Sequence, residues 1–160
     1  MENSNYFEKF ARGKKELTHV LNSKACVIYT RVSTKEQAEN NQSLETQLKW
    51  CNDYALRNSI PVLEYFGGTY ESAQTDERKE FQRMINFTKK HSDKISSIVI
   101  YSLDRFSRTG ENAIWLSSEL RKLGIKIASV TQPMDTSNPA GVFHQNMILL
   151  FGQFDNDQRR

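Results

Sequence analysis

The sequence predicts an α/β fold: a mostly parallel sheet of four to five strands with helices on both faces, followed by a long C-terminal interface helix. Three observations carry this. Short apolar runs of β type alternate with stretches of helical period, the pattern of strands joined by covering helices. Two of those runs, Ala25-Cys26-Val27-Ile28-Tyr29 and Ile98-Val99-Ile100-Tyr101, lead straight into arginines and hydroxyl side chains. The segment after Pro139 holds Val142, Phe143, Met147, Ile148, Leu149, Leu150, Phe151 and Phe154, more apolar side chains than one helix stripe accommodates.

Each element has its own signal. In residues 1–22, Tyr6, Phe10, Leu17 and Leu21 fit a loosely amphipathic helix, either an extra packing element or a flexible arm. Ala25 to Val32 reads as a buried strand. Leu44, Leu48, Cys51 and Ala55 then fall on one helix stripe. Pro61 to Phe66 is a second strand, entered through a proline that cannot donate to a ladder. Phe81, Met84, Ile85 and Thr88 mark a short helix, and Ile95 to Tyr101 a third strand. Leu116, Leu120 and Leu123 mark a helix stopped by Gly124. Ile125 to Val130 is a fourth strand. Asp135-Thr136-Ser137-Asn138-Pro139 offers capping side chains and a proline suited to a helix start. In that last helix Phe143, Met147, Leu150, Phe151 and Phe154 form one stripe, while Val142, Ile148 and Leu149 are expected to point elsewhere, towards a partner.

Composition bounds the function. At 160 residues, 38% hydrophobic and 26% charged, the chain suits one globular domain with its own core and argues against global disorder. A formal charge of +3 is only mildly basic and does not by itself announce a nucleic-acid binder. Two cysteines, Cys26 and Cys51, cannot make a disulfide framework or a zinc site and are expected to be buried. No apolar run approaches the ~18 residues of a membrane-spanning helix. The N-terminus lacks the basic-then-apolar layout of a signal peptide, so the expected location is the cytoplasm, with no membrane partner.

The chemistry concentrates where strands end, and open α/β sheets place their sites at the carboxyl ends of strands. Tyr29-Thr30-Arg31-Val32-Ser33-Thr34 follows the first strand and Leu103-Asp104-Arg105-Phe106-Ser107-Arg108 the third, so one serine and three arginines are expected at one sheet edge. Serine needs a base or strong electrostatics before it attacks. His19, His91 and His144 share no spacing, which gives a Ser-His-Asp triad little support. Arginines suit a different task, because a phosphoryl centre under attack gathers charge on oxygens that the guanidinium fork matches. Other readings stay open on local grounds. Ser33 would also cap a following helix. Asp104 would also serve as a cap or as an ion-pair partner orienting Arg105 or Arg108, a role favoured over proton transfer. Ser43, Ser102 and Ser107 compete as nucleophiles.

Taken together, YTRVS, SLETQ, the arginine of Asp76-Glu77-Arg78-Lys79 and LDRFSR, in that order, resemble the serine recombinases, the resolvase/invertase and large serine integrase group, from about Lys24 to Arg160. The resemblance implies a catalytic domain whose serine attacks double-stranded DNA, leaving a 5′-phosphoserine link and a free 3′-hydroxyl, then rejoins strands after exchange. It implies Ser33 as nucleophile and Arg31, Arg105 and Arg108 around the scissile phosphate. Arg78 is a further contact, and Tyr29, Gln37, Gln47 and Asp104 shape or support the site. It implies a homodimer assembling to a tetramer on DNA, acting in the cytoplasm at the nucleoid. No cofactor is implied: strand joining draws on the covalent link in place of ATP, no Walker-type glycine loop is present, and no carboxylate cluster is placed to hold a metal. The expected organisation is an extension over 1–23, a catalytic core over 24–138 and the start of an oligomerisation helix over 139–160, with the DNA-binding region absent. Two departures stand out: the stretch from Ser33 to Gln42 is longer than in small resolvases and resembles the large integrases, and Thr69-Tyr70-Glu71-Ser72 replaces a stretch where many members carry an aspartate. A non-catalytic domain of the same fold and a nucleotide-binding α/β protein are the rivals. Against the first stand several mutually repelling arginines; against the second, the missing glycine-rich loop.

Overall fold

The computed structural model describes residues 24–31, 44–67, 77–106 and 110–158, and side chains over 24–31, 44–67, 79–106 and 111–152. The expected helix in 1–22 lies outside the described residues. Four strands, β1 (Ala25–Thr30), β2 (Val62–Gly67), β3 (Ile95–Ile100) and β4 (Lys126–Ser129), alternate with helices α1 (Leu44–Arg57), α2 (Glu77–Lys90), α3 (Gly110–Lys122) and α4 (Pro139–Gln158). The sheet runs β2-β1-β3-β4 and every pairing is parallel. The described residues thus give the lower of the expected strand counts.

β1 and β3 are buried along nearly their whole length, because both faces of the sheet are covered. On one face Cys26, Ile28, Val99 and Ala128 meet Cys51 and Ala55 of α1. On the other, Val27, Tyr29, Ile98, Ile100 and Ile127 pack with Met84 and Ile85 of α2, Ala113 and Leu120 of α3, and Leu149 of α4. β2 is an edge strand whose Leu63 and Tyr65 are exposed. Pro61 stands just before it and spends only its carbonyl, which accepts from Cys26 N at 2.8 Å.

Three sequence expectations need correction. In α1 the buried stripe is Gln47, Cys51 and Ala55, and Leu48 is exposed. Cys51 and Ala55 are buried as expected, and the place expected for Leu48 goes to Gln47, whose amide meets backbone groups just past the end of β1 that lack a ladder partner. α2, expected to be short, has 14 residues, with Met84, Ile85 and Thr88 buried as expected. Leu123 lies past the end of α3 and is exposed. There Gly124 at φ +77° donates to Arg121 O and Ile125 N to Leu120 O, a glycine-terminated helix end that turns the chain into β4.

α4 starts as its sequence predicts: Asn138 Oδ1 accepts from Gly141 N at 2.9 Å, with Pro139 at the first helical position. Its orientation is the reverse of the expectation. Leu149 is buried in the core and Ile148 packs against it, whereas Phe143, Met147, Leu150 and Phe151 are exposed. The buried face contains Gln145, whose Nε2 donates to Ile127 O at 3.3 Å and whose Oε1 accepts from Ser117 Oγ at 3.3 Å. A polar contact that β4 requires therefore decides which face of α4 turns inward. Among the described residues no helix is long and apolar enough to cross a membrane.

Candidate active site at the carboxyl edge of the sheet

In the order β2-β1-β3-β4, the chain goes from β1 to one neighbour and later returns on its other side. The crevice outside the carboxyl ends of β1 and β3 is thus the topological switch point, where open α/β sheets bind ligands. Arg31 directly follows β1, and the 3₁₀ turn Leu103–Arg105 follows β3. The two meet across the crevice, Arg31 Nη2 donating to Asp104 O at 2.5 Å.

Both sides are held from beneath. Gln47, fully buried, clasps the backbone of Arg31 with both ends of its amide: Nε2 donates to Arg31 O at 2.9 Å, and Oε1 accepts from Arg31 N at 3.3 Å. One side chain therefore satisfies the donor and the acceptor of a residue just beyond its strand. The turn after β3 is fixed by Leu103 and Phe106, both buried in the core. Phe81 of α2 touches Phe106 edge-on at 5.4 Å and Tyr29 at 5.6 Å, so an aromatic row joins the turn to the end of β1. Tyr29 is accordingly a buried packing residue.

Asp104 is the exposed member of the turn. Its carboxylate accepts from Ser102 Oγ and stands 3.5 Å from Arg105 Nε, while Arg105 itself is buried. At the neighbouring strand end, Gly67 at φ +135° is forced by closeness, since a Cβ there would stand 2.2 Å from Thr30 O. Gly67 N donates to Glu80 Oε2 at 3.3 Å, and Arg83 grips the same carboxylate at 2.8 and 2.9 Å, holding it below the usual carboxylate range.

Of the residues expected at the site, Tyr29, Arg31, Gln47, Asp104 and Arg105 are brought together. Ser33, Gln37 and Arg108 lie outside the described residues; Arg78 falls in the first turn of α2 with its side chain outside them. Ser102, weighed as a rival nucleophile, is here a hydrogen-bond donor to Asp104. Two contributors escaped the sequence reading: Glu80, and Gln132, whose Oε1 accepts from Leu103 N at 2.9 Å. Gln132 could have been found by asking which polar residue follows each strand, since it comes three positions after β4. Among the described residues no three His, Cys, Asp or Glu side chains gather as a metal site.

A parallel α/β domain thus sets Arg31 against the Asp104–Arg105 turn at its switch point, the place where such sheets carry their sites. The chain belongs to the resolvase N-terminal domain family, whose pattern it matches over residues 26–160. It is 28% identical over 129 residues to the transposon Tn917 resolvase of Enterococcus faecalis, covering 81% of this chain and 61% of that protein. It is 30% identical over 129 residues to the serine recombinase gin of Escherichia phage Mu, covering 81% of this chain and 58% of that protein. The chain thus spans about three fifths of the length of these relatives. Its fold is similar to the N-terminal catalytic domain of TP901-1 integrase, with TM-score 0.64 and 28% identity over 86% of this chain and 100% of that one. A resolvase family site-specific recombinase from Streptococcus pneumoniae shares the fold at TM-score 0.65 and 21% identity, over 86% and 91% of the two chains.

Proposed function

We propose that this chain is the catalytic domain of a site-specific serine recombinase that cuts and rejoins double-stranded DNA through Ser33. The observation that carries the reading is the junction of Arg31 with the Asp104–Arg105 turn at the switch point. Ser33 comes two residues after Arg31 in the sequence, and the relatives include a resolvase and a serine recombinase. In the reaction, Ser33 Oγ forms a bond to phosphorus, the bond from phosphorus to the 3′ oxygen breaks, and that oxygen takes up a proton. Arg31, Arg105, Arg108 and Arg78 neutralise the charge gathering on the phosphoryl oxygens. Attack of a 3′-hydroxyl on the phosphoserine reverses the step, so joining conserves bond energy and needs neither ATP nor metal. The setting for this activity is the cytoplasm, at the nucleoid.

The test uses the full protein and a supercoiled plasmid pool carrying fragments of its host genome. In excess chelator, denaturation should trap protein–DNA adducts with the wild type and none with Ser33→Ala. Strict Mg²⁺ dependence of cleavage would overturn the mechanism in favour of a metal nuclease.

Assembly to dimers and then a tetramer on DNA is the second part of the proposal, and α4 is its surface. Phe143, Met147, Leu150 and Phe151 project from the domain on one side of that helix, and leaving such a stripe in water costs about 25 cal/mol per Å². Sedimentation of the wild type should show concentration-dependent association that Met147→Glu with Phe151→Glu abolishes. A wild type that stays monomeric at high concentration, or a double variant that associates equally well, would remove α4 from the interface.

A further inference from the structure

β4 brings no charge to the carboxyl edge, yet the chain leaving it is tied closely to the chain leaving β3. Val130 N donates to Ile100 O at 2.9 Å, and Tyr101 O accepts from Thr131 N at 3.0 Å and from Thr131 Oγ1 at 3.1 Å. Gln132 N then donates to Ser129 Oγ at 3.2 Å, which folds the glutamine back over the strand end. From there its side-chain oxygen takes the amide of Leu103 at 2.9 Å.

That amide needs an outside partner. Inside the 3₁₀ turn, Arg105 N donates to Ser102 O at 3.0 Å and Phe106 N to Leu103 O at 3.1 Å, so the turn satisfies its later amides itself. The first amides of a helical turn have no carbonyl behind them, and a capping side chain reaches the second or third of them, so Leu103 N, the first, needs a partner from elsewhere. The capping residue here is Ser102, which makes no side-chain cap bond, because its hydroxyl goes to the carboxylate of Asp104. Leu103 is fully buried, so water cannot take over. Gln132 supplies the cap from a different strand end.

The consequence passes to the arginines. Asp104 O is the acceptor for Arg31 Nη2, and the Asp104 carboxylate stands beside Arg105 Nε. The pose of the turn therefore sets both guanidinium groups together. Resting on the function proposed above, we infer that Gln132 is a positioning residue for DNA cleavage: through the amide of Leu103 it fixes the turn that orients Arg31 and Arg105. It touches neither DNA nor the reacting atoms and acts by holding the turn in register with the end of β1. A hydrogen-bond chain then spans three strand ends, from Gln132 through the turn to Arg31 and Gln47.

The experiment compares single-turnover adduct formation by the full protein on the DNA segment recovered in the chelator assay. Gln132→Leu keeps the side-chain bulk and loses the acceptor. Gln132→Asn keeps the amide but draws the acceptor back by one carbon–carbon bond, about 1.5 Å. Gln132→Glu keeps an acceptor in place. Leu and Asn variants should form adduct about ten- to a hundredfold more slowly, as expected when charged groups are displaced by about an ångström. Their DNA binding should stay at the wild-type level, and Gln132→Glu should recover most of the rate. A core variant, Ile127→Val, serves as a control for lost stability. Wild-type rates in both Gln132→Leu and Gln132→Asn would overturn the inference. So would slowing in all three Gln132 variants that merely equals that of Ile127→Val. Should Gln132→Leu fail to fold, Gln132→Asn against Gln132→Glu decides the matter. Ser33→Ala run in parallel separates the two ideas: adduct formation by that variant sinks the functional reading, whereas its silence beside a fast Gln132→Asn sinks only the role of Gln132.

Discussion

The two edges of the sheet are finished differently. At the amino edge the chain closes largely with its own backbone: Ala25 N to Lys94 O at 2.7 Å, Ile60 N to Ala55 O at 2.9 Å, Ile95 N to His91 O at 3.0 Å, and Ile125 N to Leu120 O at 3.0 Å. At the carboxyl edge, backbone ties from Val130 and Thr131 are joined by two side-chain amides: Gln47 grips Arg31 and Gln132 grips Leu103. Backbone closure works with almost any sequence, whereas a side-chain amide holds one residue in one pose. The second device is found at the edge that carries Arg31 and the Asp104–Arg105 turn, as the proposed function requires of groups that must be held in one pose.

The largest expected effect on this contrast is at Arg105. Arg105→Ala should lower the rate of adduct formation by about a hundredfold or more, the scale for removing one preorganised donor. Arg105→Lys should fail to restore it, because an ammonium lacks the fork. Recovery by lysine to near the wild-type rate would mean that charge alone matters and that the pose of the turn is secondary.

Next comes a paired measurement of the two edges. Gln47→Ala strands a donor and an acceptor of Arg31 and should cost about 1–3 kcal/mol by urea unfolding. Ser96→Ala at the amino edge removes only long contacts to Lys24 O and Ala25 O, at 3.5 and 3.3 Å, and should stay within about 0.5 kcal/mol. Equal losses at the two positions would erase the distinction between the edges.

The smallest effect at neutral pH belongs to the sheet body that both edges share. Burial pushes the thiol of Cys26 up to about 11 and that of Cys51 up to about 12, from an ordinary 9.0. The folded state therefore holds protons that the unfolded chain releases. This contribution is complete below about pH 9 and is lost as the pH rises through 11 and 12. Urea midpoints should fall with alkaline pH less steeply in a Cys26→Ala, Cys51→Ala variant than in the wild type. Identical slopes would show that other groups carry the alkaline loss.

The contrast also explains what the sequence made legible. Strands β1 and β3 were plain because they are buried on both faces and read as continuous apolar runs, and the arginines were plain because Arg31 directly follows the first run and Arg105 lies in the short turn after the second. The misreadings of which helix face turns inward share one cause. Gln47 in α1 and Gln145 in α4 are buried polar residues inside helix stripes, and hydrophobic periodicity assigns glutamine to water. Each sits inside hydrogen-bonded to a backbone group, Arg31 just past the end of β1 and Ile127 within β4, a demand set by the tertiary fold. The apolar excess of α4 was visible, but which face turned inward was decided by Gln145 meeting Ile127 O.

The most direct test of the account is to locate the covalent attachment. Adduct formed by the wild-type protein would be digested with nuclease and trypsin, and the remaining phosphonucleotide placed by fragment mass spectrometry. The account predicts the 5′-phosphate on Ser33, within Val32-Ser33-Thr34-Lys35. A phosphate on Ser102, whose hydroxyl already meets the carboxylate of Asp104, would contradict it and move the chemistry to the end of β3.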